Sequence, residues 1–337
     1  MLEYIKVKNF RSIDNLEVES LRKVNIFVGE NNCGKTTLLE AIYLNLNSLN
    51  PSSLMEIYIN IRRLKLIKDT ANNIFSMFDI DKNIEITTID SNKQSLELKI
   101  LYTNNKDYSI SNEALNNSFD TYPTISFYIN GENTPYHINI MNTQNTIQSG
   151  SQSLRGVFIN SNTMLAKTKQ AISTIRKLNL EDTLRQYLII FDKNIIDVEM
   201  INNDIMIKTK DMPEKVIVNL LGEGFQRYLC IVASIIADNS QCNYICIDEI
   251  ENGLHFKAIK KLFVAIIEFA NKSNVQLFIT THSNEVLRAL NDIYIEQADD
   301  NTAIFKISRT KNLGLQSYKY GIETLSHIIE TETEIRG

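Results

Sequence analysis

The sequence predicts an α/β protein with a mixed, largely parallel central sheet, an N-terminal antiparallel β-subdomain and a helical and β-rich insertion. Three observations predict it. Residues 2–28 alternate apolar and polar positions at period two and then become continuously apolar, as half-exposed strands beside a buried one would. A glycine-bounded turn joins that apolar run to a stretch with helical spacing. In the last third, short apolar runs alternate with amphipathic stretches, the pattern of parallel strands with helical crossovers.

Leu2 to Phe10 and Leu16 to Leu21 carry the period-two pattern of two antiparallel strands, and Val24 to Val28 reads as a buried strand. Thr37 to Leu44 has helical spacing. From Pro51 to Phe78 a helical pattern continues, with Arg62, Arg63, Lys65 and Lys68 grouped as a solvated face; nucleic-acid contact is the minority reading of that cluster. Residues 84–160 change to short alternating runs (Ile84 to Ile89, Leu96 to Tyr102, Thr124 to Ile129, Tyr136 to Ile140) between Asn-, Ser- and Thr-rich connections. Residues 164–190 return to helical periodicity, and Ile195 to Lys208 reads as a hairpin turning near Asn202, Asn203 and Asp204. The helix after Gly224 is apolar at Leu229, Val232, Ala233 and Ile236, one packed face. Tyr244 to Ile247 and Val275 to Thr280 are strands, each followed by a helical stretch. These readings divide the chain into 1–50, an insertion at 51–160, and 161–337.

With 337 residues, 43% of them hydrophobic and 22% charged, the chain can bury one large core or two smaller ones. A net charge of −5 excludes a surface that is basic throughout, while leaving room for a local basic patch. The four cysteines (Cys33, Cys230, Cys242, Cys246) and four histidines (His137, His255, His282, His327) show no metal-ligand spacing and suit a reducing compartment. No leader-like start and no bilayer-length apolar segment is evident, so the expectation is a cytoplasmic protein without a membrane partner.

Eleven glycines are few for this length, and five of them fall in three short segments. The first, Gly29-Glu30-Asn31-Asn32-Cys33-Gly34-Lys35-Thr36, lies between strand and helix, the context of a phosphate loop. Backbone N–H groups from Gly29 through Thr37, including Asn31, Asn32, Cys33 and Gly34, would wrap the phosphates of ATP. Lys35 would bridge the β- and γ-oxygens, and the Thr36 hydroxyl would bind Mg²⁺. The second, Ile245 to Glu249, is a strand ending in two carboxylates. At the carboxyl end of a parallel strand Asp248 would hold Mg²⁺, directly or through water, and Glu249 would be the general base for the attacking water. Gly253 follows this pair. The strand ending in Thr280-Thr281 delivers His282 toward the γ-phosphate or the attacking water, while Ser283 is a candidate helix cap. The third segment, Leu221-Gly222-Glu223-Gly224, opens a helix and is a second anion site. One triphosphate is already enclosed by the first loop, so Gly222 and Gly224 are expected to close over a nucleotide held by another copy, in a head-to-tail dimer.

The order of these segments resembles ABC-type ATPase heads, a P-loop NTPase fold, and within them the RecF, SMC and OLD group of AAA-family ATPases. Ile5 to Ile13 resembles that group's first strand and turn, which transporter ATPases lack. Gly29 to Thr36 resembles Walker A, Ile245 to Glu249 Walker B, Ile250 to His255 the D-loop region and Thr280 to Ser283 the switch histidine. Gly222 to Arg227 resembles the OLD form of the signature, with Gly222 where a serine is expected. The Q-loop is not placed; Gln148 and Gln152 are weak candidates. The tail from Gly321 resembles the ending of small OLD-like heads.

The resemblance implies slow ATP hydrolysis by a homodimer that sandwiches ATP. OLD nucleases continue into a TOPRIM domain, and the 55 residues after His282 are too few for one. The expectation is a switch or sensor for a separately encoded effector, a nuclease or toxin, in prokaryotic antiphage defence. The competing readings are a RecF-like DNA repair ATPase that touches DNA, a transporter subunit, and a non-hydrolysing scaffold.

Overall fold

The computed structural model describes residues 1–50, 52–104, 123–131, 136–139, 156–238, 244–297, 301–310, 312 and 314–321. Cys242, Ile140, Gln148, Gln152, His327 and the tail beyond Gly321 lie outside the described residues. The first elements are β1 (Leu2–Phe10), β2 (Ile13–Glu19), β3 (Val24–Val28), α1 (Lys35–Leu46), α2 (Ser52–Met55) and α3 (Lys68–Ala71). Then come β4 (Ile84–Asp90), β5 (Ser95–Asn104), β6 (Pro123–Ile129), β7 (Tyr136–Asn139) and β8 (Gly156–Ile159). The remaining part contains α4 (Met164–Lys177), α5 (Glu181–Phe191), β9 (Ile195–Ile201), β10 (Asp204–Thr209), β11 (Val216–Ile217) and α6 (Glu223–Asp238). It closes with β12 (Tyr244–Ile247), α7 (Phe256–Lys272), β13 (Gln276–Thr281), α8 (Asn284–Gln297), β14 (Thr302–Thr310) and β15 (Gly314–Tyr320).

The alternation seen in the last third becomes the central sheet, ordered β15-β14-β3-β13-β12-β8, in which every neighbouring pair is parallel except β14 with β15. Its strands β3 and β13 are buried along their whole length because α4 to α8 cover one face and α1, with a second sheet beyond it, covers the other. The period-two runs near the start and in residues 84–139 join in that second sheet, β2-β1-β4-β5-β6-β7, antiparallel throughout.

Between the two sheets runs α1, buried at every position except Thr36. Its apolar run Leu38-Leu39, Ala41 to Leu44 and Leu46 suits that placement, and its buried polar residues find partners, Glu40 with Arg62 and Asn45 Nδ2 with Ile86 O. Two hydrophobic cores follow. One packs α4 to α8 on the central sheet, and the other packs α1 between the sheets with Phe27, Phe158, Phe278 and Phe305.

The hairpin at Asn202-Asn203 forms as the sequence indicates. Both asparagines take positive φ (48° and 67°), the geometry that matches strand twist in a two-residue turn. The expected long helix at 51–78 does not form. It breaks into α2, a π-turn at Glu56–Ile61 and, after Arg63 at φ 54°, α3 and two 3₁₀ turns. The backbone N–H of Arg62 reaches Ile57 O at 2.9 Å, five residues back, so the helix widens where β-branched isoleucines crowd it. The β14–β15 hairpin was not anticipated, and it completes the edge of the central sheet.

Candidate nucleotide site

Four loops leave the carboxyl ends of neighbouring parallel strands on the same side of the central sheet, where such sheets bind ligands. They follow β3, β8, β12 and β13, and they enclose a cavity of about 720 Å³. Asn31, Asn32, Gly34, Lys35, Thr36 and Thr37 line it from the first loop. Asp248, Glu249, Thr280 and His282 line it from the Walker B and switch strands. Gly222 and Gly224 do not line it.

The phosphate loop owes its shape to two glycines. Gly29 sits at φ 152°, and a Cβ there would lie 2.2 Å from Ile307 O on β14. Gly34, at φ 95°, caps α1 in the left-handed region that favours glycine. Lys35 folds back so that Nζ donates to Gly29 O at 2.9 Å and Glu30 O at 2.7 Å. Thr37 Oγ1 lies 3.1 Å from Ser12 Oγ, so the β1–β2 turn leans on the start of α1. Cys33 is 7% exposed, and burial pushes its thiol up against the opposing pull of Lys35.

Asp248 and Glu249 are separated by what holds them. Thr36 Oγ1 donates toward Asp248 Oδ1 and Oδ2 at 2.9 and 3.1 Å, and Thr280 Oγ1 donates to Oδ1 at 2.6 Å. Burial still pushes the Asp248 carboxyl up; the Thr280 and Thr36 bonds oppose it, and the charges of Glu249 and Glu40 add to it. Glu249 takes φ 50°, a left-handed conformation uncommon for a glutamate. Its backbone is pinned from both sides, since its N–H donates to Thr280 Oγ1 at 2.8 Å and its carbonyl accepts from Arg227 Nη2 at 3.0 Å. Asn252 Nδ2 donates to Glu249 Oε2 at 2.6 Å, which fixes the carboxylate at the cavity wall.

Arg227, 2% exposed, also donates to Asp248 O, so α6 is bonded to the backbone just after β12. Burial pulls its guanidinium below the ordinary value. Gly224 permits the approach of the two segments. A Cβ there would stand 2.8 Å from Gly253 O, whereas one at Gly222 would meet nothing within 4 Å.

Several residues at the site were not singled out by the sequence. Arg62 belongs to the cavity wall rather than to a solvated face, and it pairs with Glu40, a fully buried residue of α1 that Arg11 also approaches at 3.2 Å. Burial opposes the Arg62 charge, yet Glu40 and Asp248 outweigh it and hold the guanidinium above its ordinary value. Asn160, Ser161 and Asn162 after β8 line the cavity, and Asn160 and Asn162 donate to Ile61 O at 3.2 and 2.9 Å, next to Arg62. A polar Asn-Ser-Asn immediately after an apolar run was the available signal. Thr280 was visible as the end of a strand and the start of the segment carrying His282, but not as a partner of Asp248 and Glu249. His255 caps α7, accepting from the Lys257 N–H at 3.4 Å.

A family profile described as "AAA ATPase domain" matches residues 1–215, and an AAA domain profile whose description refers to the AbiEii toxin of a type IV TA system matches residues 189–288. The chain is 31% identical to an ATP/GTP phosphatase of Helicobacter pylori over 374 aligned positions, covering 100% of both chains. It is 29% identical over 191 residues to the DNA repair protein RecN of Rickettsia bellii, covering 55% of this chain and 32% of that one. Over 43 residues it is 54% identical to the DNA replication and repair protein RecF of Listeria welshimeri, covering 13% and 12%. Among solved structures, an SMC head bound to the C-winged helix domain of ScpA superposes with TM-score 0.55 at 13% identity, covering 96% of this chain and 98% of that one. The SMC head domain of Thermotoga maritima superposes at 0.51 with 12% identity, covering 95% and 99%. The chain belongs to the AAA ATPase domain family and is an ATPase with an SMC-head-like α/β fold.

Proposed function

We propose that the chain is an OLD-like, dimerising ATP switch whose two copies close head to tail over ATP. The observation that carries this reading is the separation of its phosphate-binding parts. Lys35, Thr36, Asp248, Glu249 and His282 surround one cavity, while Gly222 opens α6 elsewhere, with free space around it and Leu220 beside it 77% exposed. A helix N-terminus with open space at Gly222 suits the phosphates of a partner's nucleotide. ATP held between two copies stabilises only the dimer, so binding and hydrolysis drive association and release.

The Thr36 hydroxyl and Asp248 carboxylate are the hard oxygen donors that Mg²⁺ prefers. The hydroxyl lies 2.9 and 3.1 Å from the two carboxylate oxygens at the cavity wall, an arrangement that a divalent cation fits. Thr36 and Asp248 would hold that ion, which when bound neutralises charge on the β- and γ-phosphates. Lys35 binds the same phosphates. Glu249, oriented by Asn252, accepts the proton of the attacking water.

The switch acts on a separately encoded effector, a nuclease or toxin, in prokaryotic antiphage defence; the toxin–antitoxin reference of the profile matching residues 189–288 supports this setting. Light scattering with ATP and Mg²⁺ should show a dimer, and phosphate-release assays should show slow turnover. A monomer under all conditions overturns the dimer switch.

Similarity to RecF and RecN favours a second reading, a DNA repair ATPase. Its mark is hydrolysis stimulated by DNA, with stimulation that falls as salt screens phosphate contacts.

A further inference from the structure

The switch histidine is not held by its own loop. Glu251 Oε1 accepts the His282 backbone N–H at 2.8 Å and lies 3.0 Å from His282 Nδ1. The Glu251 side chain is 10% exposed and that of His282 33%. One carboxylate oxygen therefore meets both the main chain and the ring of His282, from the turn that follows Walker B.

A carboxylate offers no proton, so the contact is attractive when the proton sits on Nδ1. Nε2 is then the ring nitrogen left to face the cavity that His282 lines. We propose that Glu251 is a positioning residue for ATP hydrolysis, fixing His282 in the Nδ1–H tautomer so that Nε2 accepts a hydrogen bond from the attacking water. The carboxylate also ties two strand ends together. Ile250 N donates to Thr280 O at 3.1 Å just beside it, a second bond between the turn after β12 and the end of β13. Displacement of that turn, which also contains Gly253 against Gly224, would reach His282 directly.

The proposal rests on His282 facing the nucleotide, and the experiment separates the two. Steady-state phosphate release is measured for the full chain and for Glu251→Ala, Glu251→Gln, His282→Ala and the Glu251→Ala/His282→Ala double variant, with binding of a fluorescent ATP analogue measured in parallel. Expected is a kcat loss of about tenfold or more for Glu251→Ala, the scale on which removal of a partner that orients a site histidine is felt. Nucleotide affinity stays within about twofold. Glu251→Gln, which keeps an acceptor oxygen, recovers most of the rate, and the double variant is no slower than His282→Ala, because groups acting as a unit are not additive.

Wild-type turnover in Glu251→Ala, or multiplicative losses in the double variant, overturns the positioning role. An active His282→Ala instead overturns the role of the histidine itself. Long-range ¹H–¹⁵N spectra of the wild-type ring, assigned by the signal lost in His282→Ala, should show Nδ1 protonated. An Nε2–H tautomer overturns the proposal even if Glu251→Ala fails to fold.

Discussion

Thr36 Oγ1 lies 2.9 and 3.1 Å from the two carboxylate oxygens of Asp248, tying the first turn of α1 to the end of β12. The pair places a hydroxyl and an anion where a hard cation would share them with phosphate oxygens. Asp248→Asn keeps the shape and removes the charge. Its ATPase rate should fall about a hundredfold, the scale of losing one electrostatic partner of the transition state. Phosphate release titrated with Mg²⁺ checks this, and an unchanged Mg²⁺ dependence would count against the assignment.

Glu249→Gln should leave ATP binding intact and stop turnover, because the amide cannot take the proton from water. The backbone pins at Thr280 and Arg227 do not involve the side chain, so the loop should keep its conformation. ATP-dependent dimers should then persist for as long as nucleotide is present. Multi-angle light scattering over hours reads this directly; dimers that decay as in the wild type would remove Glu249 from the chemistry.

The glycine-rich loop, the Asp248-Glu249 pair and His282 were legible because each is a local pattern with a strand beside it. What surrounds them was not. Arg227, Thr280 and Arg62 owe their roles to partners 22, 31 and 22 residues away along the chain, respectively Glu249, Glu249 and Glu40, and no local period encodes such a meeting. The cluster at Arg62, Arg63, Lys65 and Lys68 read as one charged face, yet the π-turn rotates Arg62 toward Glu40 and leaves Arg63 and Lys65 exposed. In the fold, parallel crossovers were visible in apolar runs of four to six residues, β12 and β13. Assignment of the 84–139 strands to the sheet of β1 and β2 was not visible, because strand order is fixed by long-range pairing rather than by alternation.

Cys33 lies inside the phosphate loop, and thiol modification there should block nucleotide binding. The structure makes that reaction slow. The thiolate is the reactive form, and burial pushes the Cys33 thiol up, with Lys35 opposing only in part. Iodoacetamide at neutral pH should label the Cys33 peptide far more slowly in the native protein than after denaturation, and bound ATP should slow it further. Mass spectrometry of that peptide separates it from Cys230 and Cys246, which are also buried. Rapid native labelling, equal with and without ATP, would contradict the placement of Cys33.

Gly222 and Gly224 distinguish packing within one copy from contact between two. A methyl at Gly224 would stand 2.8 Å from Gly253 O, and backbone cannot yield as a side-chain tip does. Gly224→Ala should therefore cost about 1–3 kcal/mol of stability, as other overpacked sites do. Gly222 precedes α6, accepts from the Phe225 N–H at 3.0 Å, and has open space around its missing Cβ. Replacing an N-cap glycine with alanine costs under about 1 kcal/mol. Gly222→Ala should thus melt close to the wild type but, on the proposed head-to-tail arrangement, lose ATP-dependent dimers, because the added methyl would fill the space proposed for the partner's phosphates. Thermal melts and light scattering on the two variants read the contrast. If Gly222→Ala dimerises as the wild type does, α6 does not meet a second nucleotide, and the head-to-tail arrangement fails with it.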